Sequence, residues 1–158
     1  MSGFVSSPPP SASPADATIA CGPFWPDIDV NLFRDSMRVG GQAIPHPRIR
    51  EALLGAVIAV DGELTTWRTL QDLLGYPKLE DVPSPTFGTV KRNLHLWQRA
   101  VFAYAAADLI ETHRDVTATA DGKARAETQV ETPDDHRRNA IHAIRDIRGL
   151  NRTAVELI

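Results

Sequence analysis

The sequence lacks the features that mark secreted, membrane-spanning and metal-bound proteins. Its one cysteine, Cys21, can form neither an internal disulfide nor a cysteine-based zinc site. Its apolar runs are far shorter than the roughly 20 residues that a membrane-spanning helix needs. The first residues contain neither the basic region nor the apolar stretch of a signal peptide, so we expect no export and no membrane partner.

Motifs for catalysis and cofactor binding are missing as well. The chain has no Gly-x-Ser-x-Gly, its five histidines form no His-Glu-x-x-His, and Gly40-Gly41 is not followed by the Lys-Ser/Thr of a phosphate-binding loop. The acid pairs, Glu127 with Glu131 and Asp134 with Asp135, are typical of a polar helix surface and of a helix start. We therefore predict no catalytic residue, no metal site, no cofactor and no enzymatic activity.

The charge balance is mildly acidic. Seventeen Lys+Arg residues against twenty Asp+Glu residues give a net charge of −3. This charge offers no overall attraction to nucleic acid or to anionic lipid, so DNA binding would need a local basic patch. With 158 residues, 42% of them hydrophobic and 23% charged, the chain is suited to one folded domain.

Composition divides the chain into three parts. Residues 1–22 are predicted to form a flexible arm, because the first twenty residues hold four prolines and five serines. Residues 23–149 are predicted to form a helical domain, with order beginning at Phe24-Trp25, and residues 150–158 an extended tail. We predict an all-α fold, a small bundle of about four helices between this disordered arm and the tail.

The first two helices follow from start signals and from apolar spacing. A cap on Asp27 predicts a short helix that ends by Gly40-Gly41. The second helix is the clearest; it begins at Pro47 and can run to Leu74. Its apolar stripe consists of Ile49, Leu53, Ala56, Val60, Leu64 and Trp67.

The other two helices follow in the second half of the chain. The third covers about Val90 to His113, and its apolar arc is wide and partly made of alanine, which predicts a central position in the bundle. The fourth begins at a cap on Thr132, with Pro133 in its first turn, and ends at Gly149.

Charged residues in these last two helices are candidates for pairing. Asp108 interrupts the apolar arc of the third helix, so we expect it to be partly buried and paired with an arginine of another helix or of another protomer. Between 121 and 158, seven basic and seven acidic residues balance. This balance favours salt bridges between protomers, although a basic stripe lining a DNA channel in a ring stays open. The candidate partners are Arg137, Arg138, Arg145 and Arg148.

The last seven residues change period, which predicts a short extended strand. Thr153, Val155 and Leu157 alternate with Ala154, Glu156 and Ile158. No strand signal of comparable quality exists elsewhere in the chain. Two interpretations stay open: pairing with the edge of a different protein, or a terminus packed loosely on the bundle.

Five segments, in order from about residue 23 to the end, resemble the head completion proteins of contractile-tailed temperate phages, the gpL family. Two residues depart from the family pattern: Pro133 stands where an uninterrupted helix is expected, and Val116 where an aromatic is expected. The segments are Phe24-Trp25-Pro26-Asp27-Ile28-Asp29, Arg48-Ile49-Arg50-Glu51-Ala52-Leu53, Gln98-Arg99-Ala100-Val101 with Ala106-Ala107-Asp108-Leu109, Asp134-Asp135 with Arg137-Arg138, and Val155-Glu156-Leu157-Ile158.

The resemblance implies a structural virion protein, a head-to-tail adaptor that docks beneath the portal after DNA packaging, retains the genome and provides the surface for tail attachment. It implies a ring, usually of twelve copies, at the portal vertex or neck, after assembly in the host cytoplasm. The implied partners are the portal protein, tail-terminator or neck proteins, other copies of the chain and, non-specifically, packaged DNA.

Together, the resemblance and the change of period predict that the tail is the portal anchor, adding main-chain hydrogen bonds to a portal strand. The tail residues are Arg152, Thr153, Ala154, Val155, Glu156, Leu157 and Ile158.

Two other functions compete with this interpretation. A helical DNA-binding protein for packaging or regulation would use a helix pair as a helix-turn-helix, but the acidic balance and the lack of an uncompensated basic helix weigh against it. A small hydrolase of a lysis system would need an acid pair across a cleft, which the sequence does not place.

Overall fold

The structure is a computed structural model that describes residues 13–37, 44–117 and 131–150, with side chains described up to residue 112 in the second range. In chain order, the helices are α1 (Val30–Ser36), α2 (His46–Leu73), α3 (Arg92–Thr117) and α4 (Pro133–Ile147). The strands are β1 (Thr18–Ile19), β2 (Ile28–Asp29), β3 (Thr86–Phe87) and β4 (Val90–Lys91).

The prediction of a mainly helical fold is confirmed, with two small sheets added to it. Strand β1 pairs antiparallel with β2, and β3 pairs antiparallel with β4. Each strand has only two residues, which is too short for the alternating pattern that predicts strands from sequence. Gly88 adopts a φ of 61° in the turn between β3 and β4, a conformation that glycine adopts without strain.

Helix α3 lies at the centre of the bundle, as its apolar arc predicts, and packs against both α2 and α4. Both neighbours run antiparallel to it. Near the start of α3, Arg92 donates a hydrogen bond to the carbonyl of Asp146 at the end of α4 (2.9 Å). Alanines fill much of the contact, and Ala100, Ala105 and Ala106 are fully buried. Their small side chains let the neighbouring helices approach closely.

Three tryptophans from distant parts of the chain join the N-terminal segment to the bundle. The ring of Trp25 stacks on Trp97 of α3, with centroids 4.2 Å apart and planes 5° from parallel. On its other side Trp25 lies 6.4 Å from Trp67 of α2. Phe24 meets Trp25 edge-on at 4.7 Å. These rings form the core beneath the turn that precedes β2.

Asp61 of α2 holds this aromatic cluster in place. Its carboxylate accepts hydrogen bonds from Nε1 of Trp25 and from the guanidinium of Arg68, both at 2.6 Å. We expect Asp61→Ala to lower the free energy of unfolding by about 1–3 kcal/mol, because it leaves the indole N–H of a buried ring without an acceptor. Urea unfolding measures the loss. Asp72→Ala, at an exposed site on the same helix, is the control and should leave stability nearly unchanged.

The first helix begins later than predicted. Its cap is Asp29, whose carboxylate accepts from the backbone N–H of Leu32 (2.9 Å), whereas Asp27, the predicted cap, precedes β2. Both residues can cap a helix, but the pairing of Ile28 and Asp29 with β1 holds them in extended conformation. The helix ends at Ser36, and Gly40-Gly41 lies outside the described residues.

Order also begins earlier than predicted. The sequence predicts that order begins at Phe24. The described part of the predicted arm, residues 13–22, already packs on the helices. The hydroxyl of buried Ser13 accepts a hydrogen bond from Nε of Arg34 (2.7 Å), and the Asn31 side chain donates to the carbonyl of Pro14 (2.7 Å). These bonds join residues far apart in sequence, so local composition does not predict them. Residues 1–12 lie outside the described part.

The predicted second and fourth helices are confirmed. Helix α2 has its proline in the first turn and ends before Gly75, which has a φ of 90°. Five residues of its predicted stripe are buried and Trp67 is partly buried against the same core. Helix α4 begins at Pro133, so that residue starts the helix instead of interrupting it.

The start of α4 is stabilised by a capping box. Thr132 Oγ1 accepts from the backbone N–H of Asp135 (3.2 Å), and the Asp135 carboxylate accepts from the backbone N–H of Thr132 (3.0 Å). The hydrogen bond from the Thr132 hydroxyl (2.7 Å) is the main cause that lowers the pKa of Asp135. The hydroxyl proton is free to rotate, so Thr132 can act in either role.

We expect Thr132→Ala to cost about 1 kcal/mol of stability at pH 7. Because the pKa of Asp135 is lowered in the folded chain, its contribution is present above the carboxyl's ordinary pKa and is lost as pH falls through the folded value. Thermal unfolding from pH 7 to acid measures this: the gap between the wild type and Thr132→Ala should narrow on acidification. The control is Asp134→Asn, one residue away, whose difference in stability from the wild type should not change in this way. A difference between the wild type and Thr132→Ala that stays constant on acidification would contradict the prediction.

Candidate functional site

Within the described ranges, no group of three His, Cys, Asp or Glu residues is arranged to hold a metal ion. The thiol of Cys21 is half-buried and donates to the carbonyl of Ile19 (3.3 Å). Burial raises the pKa of Cys21 to about 11, so the thiol is protonated at neutral pH and is a poor nucleophile. None of the helices in the described part of the chain is both long and apolar enough to span a membrane.

One groove lies between α2 and α3 and has a volume of about 390 Å³. We call it the α2–α3 groove. Its floor is made of alanine and glycine, and its charged groups are Glu51, Asp108 and Arg137. Beyond the groove, the hydroxyl of Tyr104 donates to the carboxylate of Glu63 (2.6 Å). Burial and that carboxylate raise the pKa of Tyr104. The lining residues are Glu51, Ala52, Gly55, Ala56, Ala59, Tyr104, Ala107, Asp108 and Arg137.

Two of the candidate pairing residues, Asp108 and Arg137, line the α2–α3 groove. Asp108 is exposed in the single chain and forms no ion pair with another described residue, so its pairing with an arginine of another protomer stays a prediction. Arg137 lines the same groove but pairs with Glu111 of α3 and with Asp134 (3.2 Å), not with Asp108. The hydrogen bond with Glu111 raises the pKa of Arg137. Arg137 thus satisfies a different carboxylate of the same helix, one turn along from Asp108.

The other candidate arginines follow along α4. Arg138 pairs with Asp135 at 2.6 Å, three residues away on the same helix. Arg145 is half-buried in the last turn, and Arg148 is the exposed residue that closes the helix end. The predicted tail, 152–158, lies outside the described residues, as does most of the polar stretch before α4.

A second groove lies beside α1, between α3 and α4, and has a volume of about 250 Å³. We call it the Phe102 groove. Its apolar part is made of Met37, Phe102 and Ala103, and His95 and Arg99 contribute its basic groups. Residues two apart on a helix lie about 200° apart, so Phe102 and Tyr104 point to opposite sides of α3. The two grooves therefore lie on opposite sides of the bundle. The remaining lining residues are Ser36, Gln98 and Asn139.

The outer face of α2 is an exposed surface that was not predicted from the sequence. Over 52–62 its exposed positions carry no charge, and Ile58 is 64% exposed. The signal was available in the sequence, because these residues recur at helical spacing opposite the predicted stripe. We call this the α2 face; it consists of Leu54, Gly55, Ile58, Ala59 and Gly62. Phe87 of the β3–β4 hairpin is a separate exposed apolar residue (69%).

Comparison with known proteins relates this chain to one family of phage proteins. Residues 19–158 match the family model for phage head completion proteins (GPL). The head completion/stabilization protein of Escherichia phage P2 is 33% identical over 135 residues, which cover 85% of this chain and 79% of that protein. No solved structure matches the chain significantly. The family match includes every described helix, so the chain belongs to the phage head completion protein family.

Proposed function

We propose that this chain is a structural virion protein that completes the phage head. In this proposal it docks under the portal after DNA packaging, retains the genome and presents the surface to which the tail joins. Family membership over 19–158 is the observation that carries the proposal, together with the similarity to the head completion/stabilization protein of phage P2. The partners proposed are the portal protein, tail-terminator or neck proteins, and further copies of this chain in a ring.

The described surface supports an assembly role better than a role in chemistry. It combines an exposed apolar helix face with two open grooves, and a contiguous exposed apolar patch is typical of a contact site. Two of the candidate basic residues of α4, Arg137 and Arg138, are neutralised by carboxylates of the same chain. This neutralisation weakens the alternative of a DNA-binding recognition helix.

The test is electron microscopy of particles made with the gene intact, disrupted, and disrupted but complemented in trans. We expect ring density beneath the portal in the intact case, DNA-leaking heads without tails in the disrupted case, and recovery on complementation. Tailed particles that retain DNA without this protein would overturn the proposal.

A further inference from the structure

The α2 face is an exposed apolar surface with small residues around its larger side chains. Ile58 projects from it with 64% of its surface exposed, and Leu54 lies one turn earlier at 39%. Around them stand Gly55, Ala59 and Gly62, and a Cβ added at either glycine would meet no atom within 4 Å. Another molecule can therefore come close enough to this helix to enclose the Ile58 side chain.

The Phe102 groove has the shape and chemistry to receive such a side chain. It opens on the opposite side of α3, and the aromatic ring of Phe102 and the thioether of Met37 line it. A cavity of about 150 Å³ is enough to hold a benzene ring. The groove, at about 250 Å³, therefore has room for the branched side chain of one isoleucine.

Charge distinguishes the ways in which two copies could meet. Glu51 and Asp108 beside the α2 face form no ion pair with another described residue, and Arg99 at the Phe102 groove forms none either. Arg137, which also lines the α2–α3 groove, is occupied by Glu111 and Asp134. Contact with the Phe102 groove would bring these two acids to the unpaired cation Arg99, which contact between two α2 faces would not do.

We propose that Ile58 of one copy inserts into the Phe102 groove of the next copy of this chain, with Glu51 and Asp108 facing Arg99. The donor and acceptor surfaces differ and lie on opposite sides of α3, so the contact is head-to-tail. Such a contact repeats from copy to copy and forms a ring when its rotation closes. This inference rests on the proposed function, because it names the contact between copies within the proposed ring.

Cysteine cross-linking in purified phage particles tests the contact. In a Cys21→Ser background, Ala59→Cys combined with Gln98→Cys leaves Ile58 and Arg99 in place and should shift the chain from the monomer band to a ladder of multimers on oxidation. Each single variant should stay monomeric, because a head-to-tail contact never brings a residue next to itself. Ala59→Cys with Phe87→Cys, at an exposed position outside the groove, is the control pair and should give no ladder.

Each outcome decides the proposal. Dimers from the single Ala59→Cys variant would show that two α2 faces meet, and monomers from the double variant in particles that contain the chain would show that another surface is used; both overturn it. Particles that lack the chain would instead reject the proposed function. In that case the same oxidation of the concentrated full chain in solution decides, where a ladder supports the contact and monomers overturn it.

Discussion

Replacing Trp97 by alanine is expected to lower the free energy of unfolding by about 3–5 kcal/mol. Trp97 is completely buried, stacks on Trp25 at 4.2 Å and donates its indole N–H to the carbonyl of Pro26 (3.3 Å). The substitution leaves a large cavity and separates the N-terminal segment from α3. Since small domains are stable by only about 5–15 kcal/mol, much of the margin should disappear. Urea unfolding followed by circular dichroism measures the change.

Trp67→Ala is the matched control for this prediction. Trp67 belongs to the same aromatic cluster but is only partly buried, and its ring lies 6.4 Å from Trp25. Less apolar surface is lost there, so the destabilisation should be clearly smaller than at Trp97. Equal losses of unfolding free energy in the two variants would show that the stack of Trp25 on Trp97 contributes no more to stability than the contact with Trp67.

If the tail is the portal anchor in the proposed ring, ending the chain after Asn151 is expected to weaken attachment to filled heads by about 100-fold or more, because repeated tails on one ring would act through avidity. The helical body should keep its stability. Helix α4 is closed before the tail: Gly149 adopts a φ of 71°, and the N–H of Leu150 donates to the carbonyl of Arg145 (2.9 Å). Co-sedimentation of the purified chain with filled heads measures attachment, and thermal unfolding checks the fold.

Point variants test whether attachment to filled heads depends on particular side chains of the tail. In the predicted strand, alternate residues would point to opposite faces, so Val155→Asp and Leu157→Asp should reproduce the truncation, whereas Glu156→Gln should bind nearly as the wild type. Normal attachment by the truncated chain would refute the assignment of the tail as the portal anchor.

The parts of this protein that depend on neighbouring residues could be predicted from the sequence alone. Helix α2 follows from a stripe of apolar residues at helical spacing, and the start of α4 follows from Thr132, Pro133 and Asp135 acting within one turn. The family resemblance is also carried by short segments in order, and the match over 19–158 confirms it. Spacing and capping are local, so they are readable without knowing which elements meet.

Features that depend on residues far apart in the chain could be read from the folded structure but not from the sequence. Pairing of β1 with β2 moved the first cap from Asp27 to Asp29. The partner of Arg137 is Glu111 and not Asp108, because the antiparallel packing of α3 on α4 sets which turns face each other. The Phe102 groove likewise combines residues of α3 and α4 with the segment at the end of α1. Periodicity predicts which side of a helix is buried, but the register between helices is set by packing, and packing exists only in the folded chain.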